Sequence, residues 1–252
     1  ALQIGMDVYR KEDSEGRRDH AGFYLGAGRI EAQVDHYTGT RAGQNTIDGY
    51  SLGLYWTHFG ASGWYLDGIA QATLYNARAR SADGFHGLKT NGVGIALSIE
   101  GGYPFKFENN WVVEPQAQLV YQSIWLDKSG DAAARVRFDD VESLTGRLAV
   151  RVAKTWSPGG EPAEGEKRRL MTAWVRAGLW HEFLGAPRTS FSSADGFVPF
   201  RSKASDTWAS FTLGVTGQIS RTGTLYVSGG YDIGLNGKSH ALNGKMGMRF
   251  HW

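Results

Sequence analysis

The sequence predicts an all-β protein, a transmembrane antiparallel up-and-down β-barrel. Three observations predict this fold. Apolar and polar residues alternate with a period of two over most of the 252 residues, the pattern of a strand with two different faces. The alternating stretches run for roughly 10 to 16 residues, well beyond the five or six of ordinary globular sheets. The connections between them alternate in length, as in barrels that have short turns at one end and long loops at the other.

The composition agrees with strands joined by turns and argues against several other classes of protein. The chain holds 35 Gly but only 6 Pro, together with 9 Trp. No apolar run approaches the roughly 18 residues that a transmembrane helix needs. A net charge of +2 without a dense basic stripe argues against nucleic-acid binding. The absence of cysteine excludes a disulfide framework and a thiolate metal site.

Eleven strands are predicted in chain order. The first, residues 2–10, places Leu2, Ile4, Met6 and Val8 on one face. The others are predicted over residues 20–36, 49–59, 64–76, 92–103, 111–125, 143–156, 170–183, 207–219, 224–233 and 241–252. We expect them to form one antiparallel sheet in which each strand pairs with its sequence neighbour.

The two faces of these strands differ in chemistry. One face is apolar and is predicted to contact lipid, at Leu52, Leu54, Leu97, Leu148 and Val150 among others. The other face is polar and is predicted to line the pore, at Glu100, Glu114, Gln116, Arg147, Arg151, Arg176, Glu182 and Arg249. A strand of about 9 to 11 tilted residues crosses a bilayer, and all its backbone groups must be paired, so the sheet has to close. A soluble sandwich or lipocalin-type barrel, with the apolar side chains inside, is the alternative.

The connections divide into two classes. Short ones are predicted at 60–63, 107–110 and 220–223, and long ones at 37–47, 78–89, 127–139 and 185–206. Two more, 11–18 and 157–168, have middling length and fall on the short side by alternation. No linker or second domain is evident, so residues 1–252 are predicted to be one barrel domain.

Four segments of the chain resemble the C-terminal translocator domain of autotransporters, the type V secretion proteins of Gram-negative bacteria. They are DGYSLGLYWTHFGASGWYLDGIAQATLY (48–75), NNWVVEPQAQLVYQSIW (109–125), DDVESLTGRLAVRVAKTW (139–156) and RAGLWHEFLG (176–185). Their order and spacing also match the family, and the segments look like those of its serum-resistance and pertactin-like members from Bordetella. The resemblance implies an outer-membrane barrel that translocates and anchors an N-terminal passenger domain at the cell surface.

The same resemblance implies the partners. They are the protein's own passenger and linker helix, the outer-membrane barrel assembly machinery, periplasmic chaperones and membrane lipids, with no nucleic acid and no cofactor. The end of the chain, MGMRFHW, is similar to the family's assembly signal, which Met248, Phe250 and Trp252 would carry. Members of the family have twelve strands, whereas eleven are visible here. We therefore expect the first strand and the linker helix to lie upstream of Ala1, and a wrongly divided strand is the alternative.

A catalytic site is not predicted. The seven His residues fall in different strands and loops without metal-ligand spacing, and the segment GYSLG at 49–53 is a strand, not a strand-turn-helix nucleophile elbow. His181 and Glu182 come nearest to a catalytic pair, but adjacent strand residues face opposite sides. The charges of the polar face could pair across the barrel or could form a hydrated lining for the passenger. A porin and an outer-membrane enzyme are the rival functions.

Overall fold

The protein's structure, a computed structural model, describes residues 1–82, 87–130, 135–158, 169–185, 188–193, 196–201, 207–220, 222–237 and 239–250. The described residues form sixteen strands: β1 (Leu2–Glu12), β2 (Arg18–Asp35), β3 (Arg41–Phe59), β4 (Tyr65–Ser81), β5 (Gly87–Gly102), β6 (Phe105–Phe107), β7 (Trp111–Leu126), β8 (Ser129–Gly130), β9 (Arg135–Phe138), β10 (Val141–Trp156), β11 (Met171–Glu182), β12 (Arg188–Ser193), β13 (Gly196–Arg201), β14 (Thr207–Gln218), β15 (Gly223–Gly234) and β16 (His240–Phe250).

Eleven of these strands are long and form a single antiparallel sheet. Its order is β1-β2-β3-β4-β5-β7-β10-β11-β14-β15-β16, so each long strand pairs with the next long strand in the chain and no connection crosses over. The short strand β6 pairs with β7 beside this path. The all-β antiparallel fold and the eleven strands predicted from periodicity are therefore confirmed.

Three strands extend further than predicted. The ends of β3, β4 and β5 away from the short turns continue through residues 41–48, 77–81 and 87–91, most of which lie in the loops predicted at 37–47 and 78–89. These extensions are rich in Arg, Asn, Gln and Thr, so apolar alternation does not mark them. Backbone pairing continues regardless of the side chains, as the register from Gly43 opposite Ser81 to Asn45 opposite Ala79 demonstrates.

Two connections predicted as loops contain a second sheet, which corrects the expectation of one sheet only. Strands β8 and β9 come from segment 127–139, and β12 and β13 from segment 185–206, in the order β13-β12-β9-β8. Val136 of β9 is only 4% exposed, and the guanidinium of Arg137 lies 3.9 Å from the ring centre of Phe197. With two to six residues each, these strands are too short for a periodicity test.

The turn between β1 and β2 is closed by one carboxylate. Asp13 Oδ1 accepts hydrogen bonds from the backbone N–H groups of Glu15 (3.0 Å) and Arg17 (2.9 Å), and Gly16 adopts the positive φ of 81° that the turn requires. The side-chain hydrogen bond from Arg17 is the main cause that holds the pKa of the Asp13 carboxyl below its ordinary value. This turn is polar and stands at the end of the sheet where the connections are short.

The sheet has two edges, β1 and β16. Because eleven strands alternate in direction, these two edge strands run the same way, and no pairing joins them in the part of the chain that the structure describes. The register of β1 shifts between Asp7 and Tyr9, so Val8 is an extra residue, a β-bulge. After the bulge, Arg10 lies on the same face as Asp7.

Candidate functional site

The two faces of the eleven-stranded sheet are separated by the alternation of side chains along the strands, which is interrupted only where the register shifts in β1 and near the end of β2. We call the face that carries Tyr24, Gln71, Glu100 and Arg147 the inner face and the opposite one the outer face. The outer face exposes large apolar side chains throughout, including Leu52 (52%), Leu54 (59%), Leu97 (49%), Leu148 (71%) and Val150 (46%). A soluble sandwich or lipocalin-type barrel would bury these side chains, so that alternative is wrong for this chain.

Side chains on the inner face reach each other across an intervening strand, which indicates that this face is concave. The Tyr24 hydroxyl on β2 donates a 2.7 Å hydrogen bond to Gln71 Oε1 on β4, passing over β3. At the point of crossing, β3 carries Gly53, where any Cβ would collide with the Tyr24 ring. Tyr55 of β3 crosses β2 at Gly22 in the same way and donates to Asp7 Oδ1 on β1. Glycine therefore makes room for bonds between strands that are two apart.

Among the residues that the structure describes, the most buried ion pair of the inner face joins Arg147 and Glu100. Arg147 Nη2 donates to Glu100 Oε2 at 2.7 Å, with the Arg147 side chain only 5% exposed. The other oxygen, Glu100 Oε1, accepts a 2.6 Å hydrogen bond from the Tyr65 hydroxyl. The Arg147 guanidinium also lies 5.1 Å from the Trp180 ring centre. Such a paired charge costs much less to bury than an isolated one.

A second charged group lies beside the first on the same face. Arg151 Nη1 lies 3.9 Å from Glu114 Oε1, and that oxygen also accepts a 2.7 Å hydrogen bond from Gln116 Nε2. Arg176 is the direct cross-strand partner of Arg151, and both guanidinium groups lie within 6 Å of the ring centre of Trp174, at 5.9 Å and 5.3 Å. Three arginines thus face two glutamates on adjacent strands.

Two of the predicted residues stand apart from these groups. Glu182, at the end of β11, accepts hydrogen bonds from the backbone N–H groups of Leu144, Leu184 and Gly185 at 2.9 to 3.0 Å, and so closes the strand end. Arg249 lies on the edge strand β16 opposite Thr224, within electrostatic range of Asp7 on the other edge strand. The structure brings together Glu100, Glu114, Gln116, Arg147, Arg151 and Arg176, and their role as pore-lining residues stays a prediction.

The sequence reasoning missed the aromatic members of these groups. Tyr65, Trp174 and Trp180 lie on the inner face, and none of them was among the predicted pore-lining residues. Strand parity would have placed Trp174 and Trp180 with Arg176, because all three have even numbers on β11. Glycines on the neighbouring strands are a further indication of inward aromatic side chains, since Trp174 covers Gly214 and Tyr65 covers Gly102.

The terminal residues of the predicted assembly signal are partly visible. Met248 and Phe250 of β16 lie on the outer face, 60% and 55% exposed, opposite Leu225 and Gly223. Trp252 lies outside the described residues. The role of these residues as an assembly signal stays a prediction.

His181 and Glu182, the two residues that came nearest to a catalytic pair in the sequence, do not form one in the structure. His181 Nδ1 lies 2.7 Å from Thr207 Oγ1 on the outer face, while Glu182 lies on the inner face bonded to backbone. Among the described residues, no three His, Cys, Asp or Glu side chains form a group that could hold a metal ion. Within the same residues, no helix has the length and apolar character to cross a membrane.

Comparison with known proteins gives one matching family model, the autotransporter beta-domain, over residues 1–230. Curated relatives include the adhesin BmaC autotransporter of Brucella suis, 28% identical over all of this chain and 7% of the relative. The pertactin autotransporter of Bordetella parapertussis is 28% identical over 79% of this chain and 20% of the relative. The chain therefore spans no more than about a fifth of these two relatives' length.

Two solved structures share the fold. The transport unit of the autotransporter AIDA-I from Escherichia coli superposes with a TM-score of 0.83 at 21% identity, covering 99% of this chain and 81% of that one. The beta domain of the Bordetella autotransporter BrkA gives a TM-score of 0.72 at 24% identity, covering 98% of this chain and 88% of that one. At identities of 21% and 24%, these similarities show a shared fold and nothing beyond it.

Proposed function

The chain belongs to the autotransporter β-domain family, and from this premise we propose that it translocates and anchors a passenger domain joined to its amino-terminal side. Passenger translocation and anchoring is the function of the family, whose β-domains are outer-membrane barrels of Gram-negative bacteria and not enzymes. Because this chain covers a small part of its relatives, the identity and activity of the passenger belong to the rest of the protein.

The observation that carries the proposal is the two-faced sheet. Its outer face is apolar and exposed, as a lipid contact requires, while its inner face holds ion pairs and hydrogen bonds that need water or polar partners. Pore-lining is the role we propose for Glu100, Glu114, Gln116, Arg147, Arg151, Arg176, Glu182 and Arg249. This set contains four arginines and three glutamates, so the inner face would be hydrated. An extended peptide could then move along it without binding tightly at one site.

We propose that residues 1–252 belong to one barrel domain. A single further strand that precedes β1 would complete this barrel, and a linker helix would accompany that strand. The parity of the sheet supports this. The edge strands β1 and β16 run in the same direction, so antiparallel closure needs an odd number of strands between them. Asp7 and Arg249 offer opposite charges on the inner face of the two edges, where the closing strand would lie.

The remaining partners are proposals as well. Met248, Phe250 and Trp252 would be recognised by the barrel assembly machinery while the strand is still extended, after periplasmic chaperones have kept the chain unfolded. The site of action would be the Gram-negative outer membrane, with no cofactor and no catalytic role for this domain. Bonding of Glu182 to backbone and of His181 to Thr207 supports the non-enzymatic proposal.

A display experiment tests the proposed function. A small reporter followed by a linker helix is fused ahead of the complete barrel, including its proposed closing strand, and expressed in a Gram-negative host, and added protease probes the reporter on intact cells. We expect cleavage of the reporter and retention of the barrel in the outer-membrane fraction. A barrel that reaches the outer membrane while every reporter stays inside would contradict the translocator function and favour a porin.

A further inference from the structure

A basic cluster lies on the outer face near the long connections. Arg78 on β4 and Lys89 on β5 are direct cross-strand partners, and both side chains are exposed. Like charges placed directly opposite each other destabilise a strand pair. Among the residues the structure describes, no carboxylate lies within ion-pair distance of either cation. An external anion would relieve this repulsion.

The surrounding residues define the height of the cluster relative to the membrane. Towards the middle of the sheet, the next outward pairs are Asn76 with Asn91, and then the exposed apolar pair Leu74 with Val93. Arg78 follows Leu74 by four residue steps, which at about 3.3 Å each corresponds to about 13 Å along the strand and to a smaller height because barrel strands are tilted. The cations therefore stand above the apolar band, at the level of the lipid headgroups.

Two adjoining clefts connect the apolar band with the cations. The lower cleft, about 370 Å³, is lined on its apolar side by Leu74, Val93 and Trp125. Trp125 is 42% exposed next to Val93, the position of an aromatic side chain at a membrane interface. This part of the surface matches an acyl chain and offers little to a soluble ion.

The upper cleft, about 340 Å³, is lined by Arg78, Lys89 and Lys128 together with one carboxylate, Asp127. Both clefts share three residues, Asn76, Asn91 and Asp127. Three cations against one carboxylate leave the upper cleft with a surplus of positive charge. The neighbouring Asp48 interacts electrostatically with Arg78, but Arg29 Nε already binds it at 2.6 Å, so it cancels only part of this surplus.

We propose that this pair of clefts binds a phosphorylated lipid of the external leaflet. The phosphate would lie between Arg78 and Lys89, the amides of Asn76 and Asn91 would contact the polar backbone of the lipid, and an acyl chain would follow Leu74, Val93 and Trp125. The proposal goes beyond translocation and rests on the proposed function only for the orientation of the barrel in the membrane. Charge alone would also attract an acidic peptide, but the apolar lower cleft favours a lipid.

The test uses the full chain, purified and folded in a zwitterionic detergent, with diphosphorylated lipid A as the probe and its dephosphorylated form as the comparison. We expect the phosphorylated lipid to bind at least about ten-fold more tightly. The double variant Arg78→Gln/Lys89→Gln should lose about thirty-fold in affinity, since each cation near a membrane surface contributes roughly a five-fold factor. Asp127→Asn should bind more tightly than the parent protein.

The matched control is Lys154→Gln. Lys154 is an outward cation at the opposite end of the sheet, with its ammonium 5.0 Å from the Trp111 ring centre, and its loss should leave lipid A affinity unchanged. Heat-modifiable migration on gels verifies that each variant is folded, and Lys128→Gln replaces the double variant if the latter does not fold. Reporter display should be normal in the double variant. A failure of the lipid-binding proposal can therefore be distinguished from a failure of the proposed translocation function.

Three results would overturn the proposal. One is equal affinity for the phosphorylated and dephosphorylated lipids. Another is an unchanged lipid A affinity in every folded cleft variant. The third is a soluble acidic peptide that competes as well as the lipid does, because this would identify the cleft as a peptide-binding surface.

Discussion

Tyr24 lies directly over Gly53 of the neighbouring strand, and its hydroxyl reaches Gln71 one strand further on at 2.7 Å. The glycine is the only residue type that leaves space for the ring at this crossing. Adjacent strands in the sheet are thus joined by backbone pairing, while strands two apart are joined by aromatic side chains that pass over glycine. This arrangement fixes the curvature of the inner face.

Replacing Gly53 by Ala should therefore destabilise the barrel by about 1 to 3 kcal/mol, the usual cost of overpacking. The new Cβ would displace the Tyr24 ring and break its bond to Gln71. Gly49→Ala on the same face of β3 is the matched control, because its nearest heavy atoms lie at 3.5 Å, an ordinary contact distance. Denaturant unfolding of the refolded protein measures both, and equal losses would contradict the crossing argument.

Glu100→Gln should cost about 3 kcal/mol of stability, because it leaves the nearly buried Arg147 without a counter-charge. The double variant Glu100→Gln/Arg147→Met should recover much of that loss, since no buried charge then remains unpaired. The unfolding free energies of Glu100→Gln, Arg147→Met and the double variant, each relative to the parent protein, form a double-mutant cycle. A double variant as unstable as the sum of the singles would show that the two residues act independently.

Leu148→Arg should cost about 2 to 4 kcal/mol in a bilayer, because this outward side chain is 71% exposed and would contact lipid in the proposed outer-membrane barrel. Gln122→Arg provides the control, since Gln122 is exposed on the inner face and should tolerate the charge. Both are measured by unfolding from lipid vesicles. If Gln122→Arg were the more damaging change, the assignment of the two faces to lipid and water would be reversed.

Removal of the last three residues, Phe250 to Trp252, should impair assembly more than stability. One terminal aromatic contributes at most a few kcal/mol through its buried area, a modest part of a barrel held by backbone pairing between eleven long strands. The purified truncated barrel should remain heat-resistant, whereas in cells it should insert poorly and be degraded. Trp252→Phe should keep most insertion and Trp252→Asp should not. Proportional losses of display and melting temperature would assign these residues an ordinary structural role.

The presence of each long strand, and the face to which each of its side chains points, could be predicted from the sequence because both are local properties. Arg147 and Leu148 are adjacent residues, and alternation alone places them on opposite faces. The partner of Arg147 could not be predicted, since Glu100 is 47 residues away and their meeting depends on the register of β5, β7 and β10. Strand β8, with two residues, carries no periodic signal and gains its structure from pairing with β9. Tyr24 over Gly53 likewise depends on the stagger between strands.

The absence of cysteine from the chain makes the central claim directly measurable. A single cysteine is introduced at Gln122 on the inner face or at Leu148 on the outer face, and a passenger carrying its own cysteine is stalled during transit by a folded reporter. A conduit function predicts oxidative cross-linking of the passenger to position 122 and none to position 148. Cross-linking to position 148, or to neither position while display still proceeds, would contradict passage along the inner face.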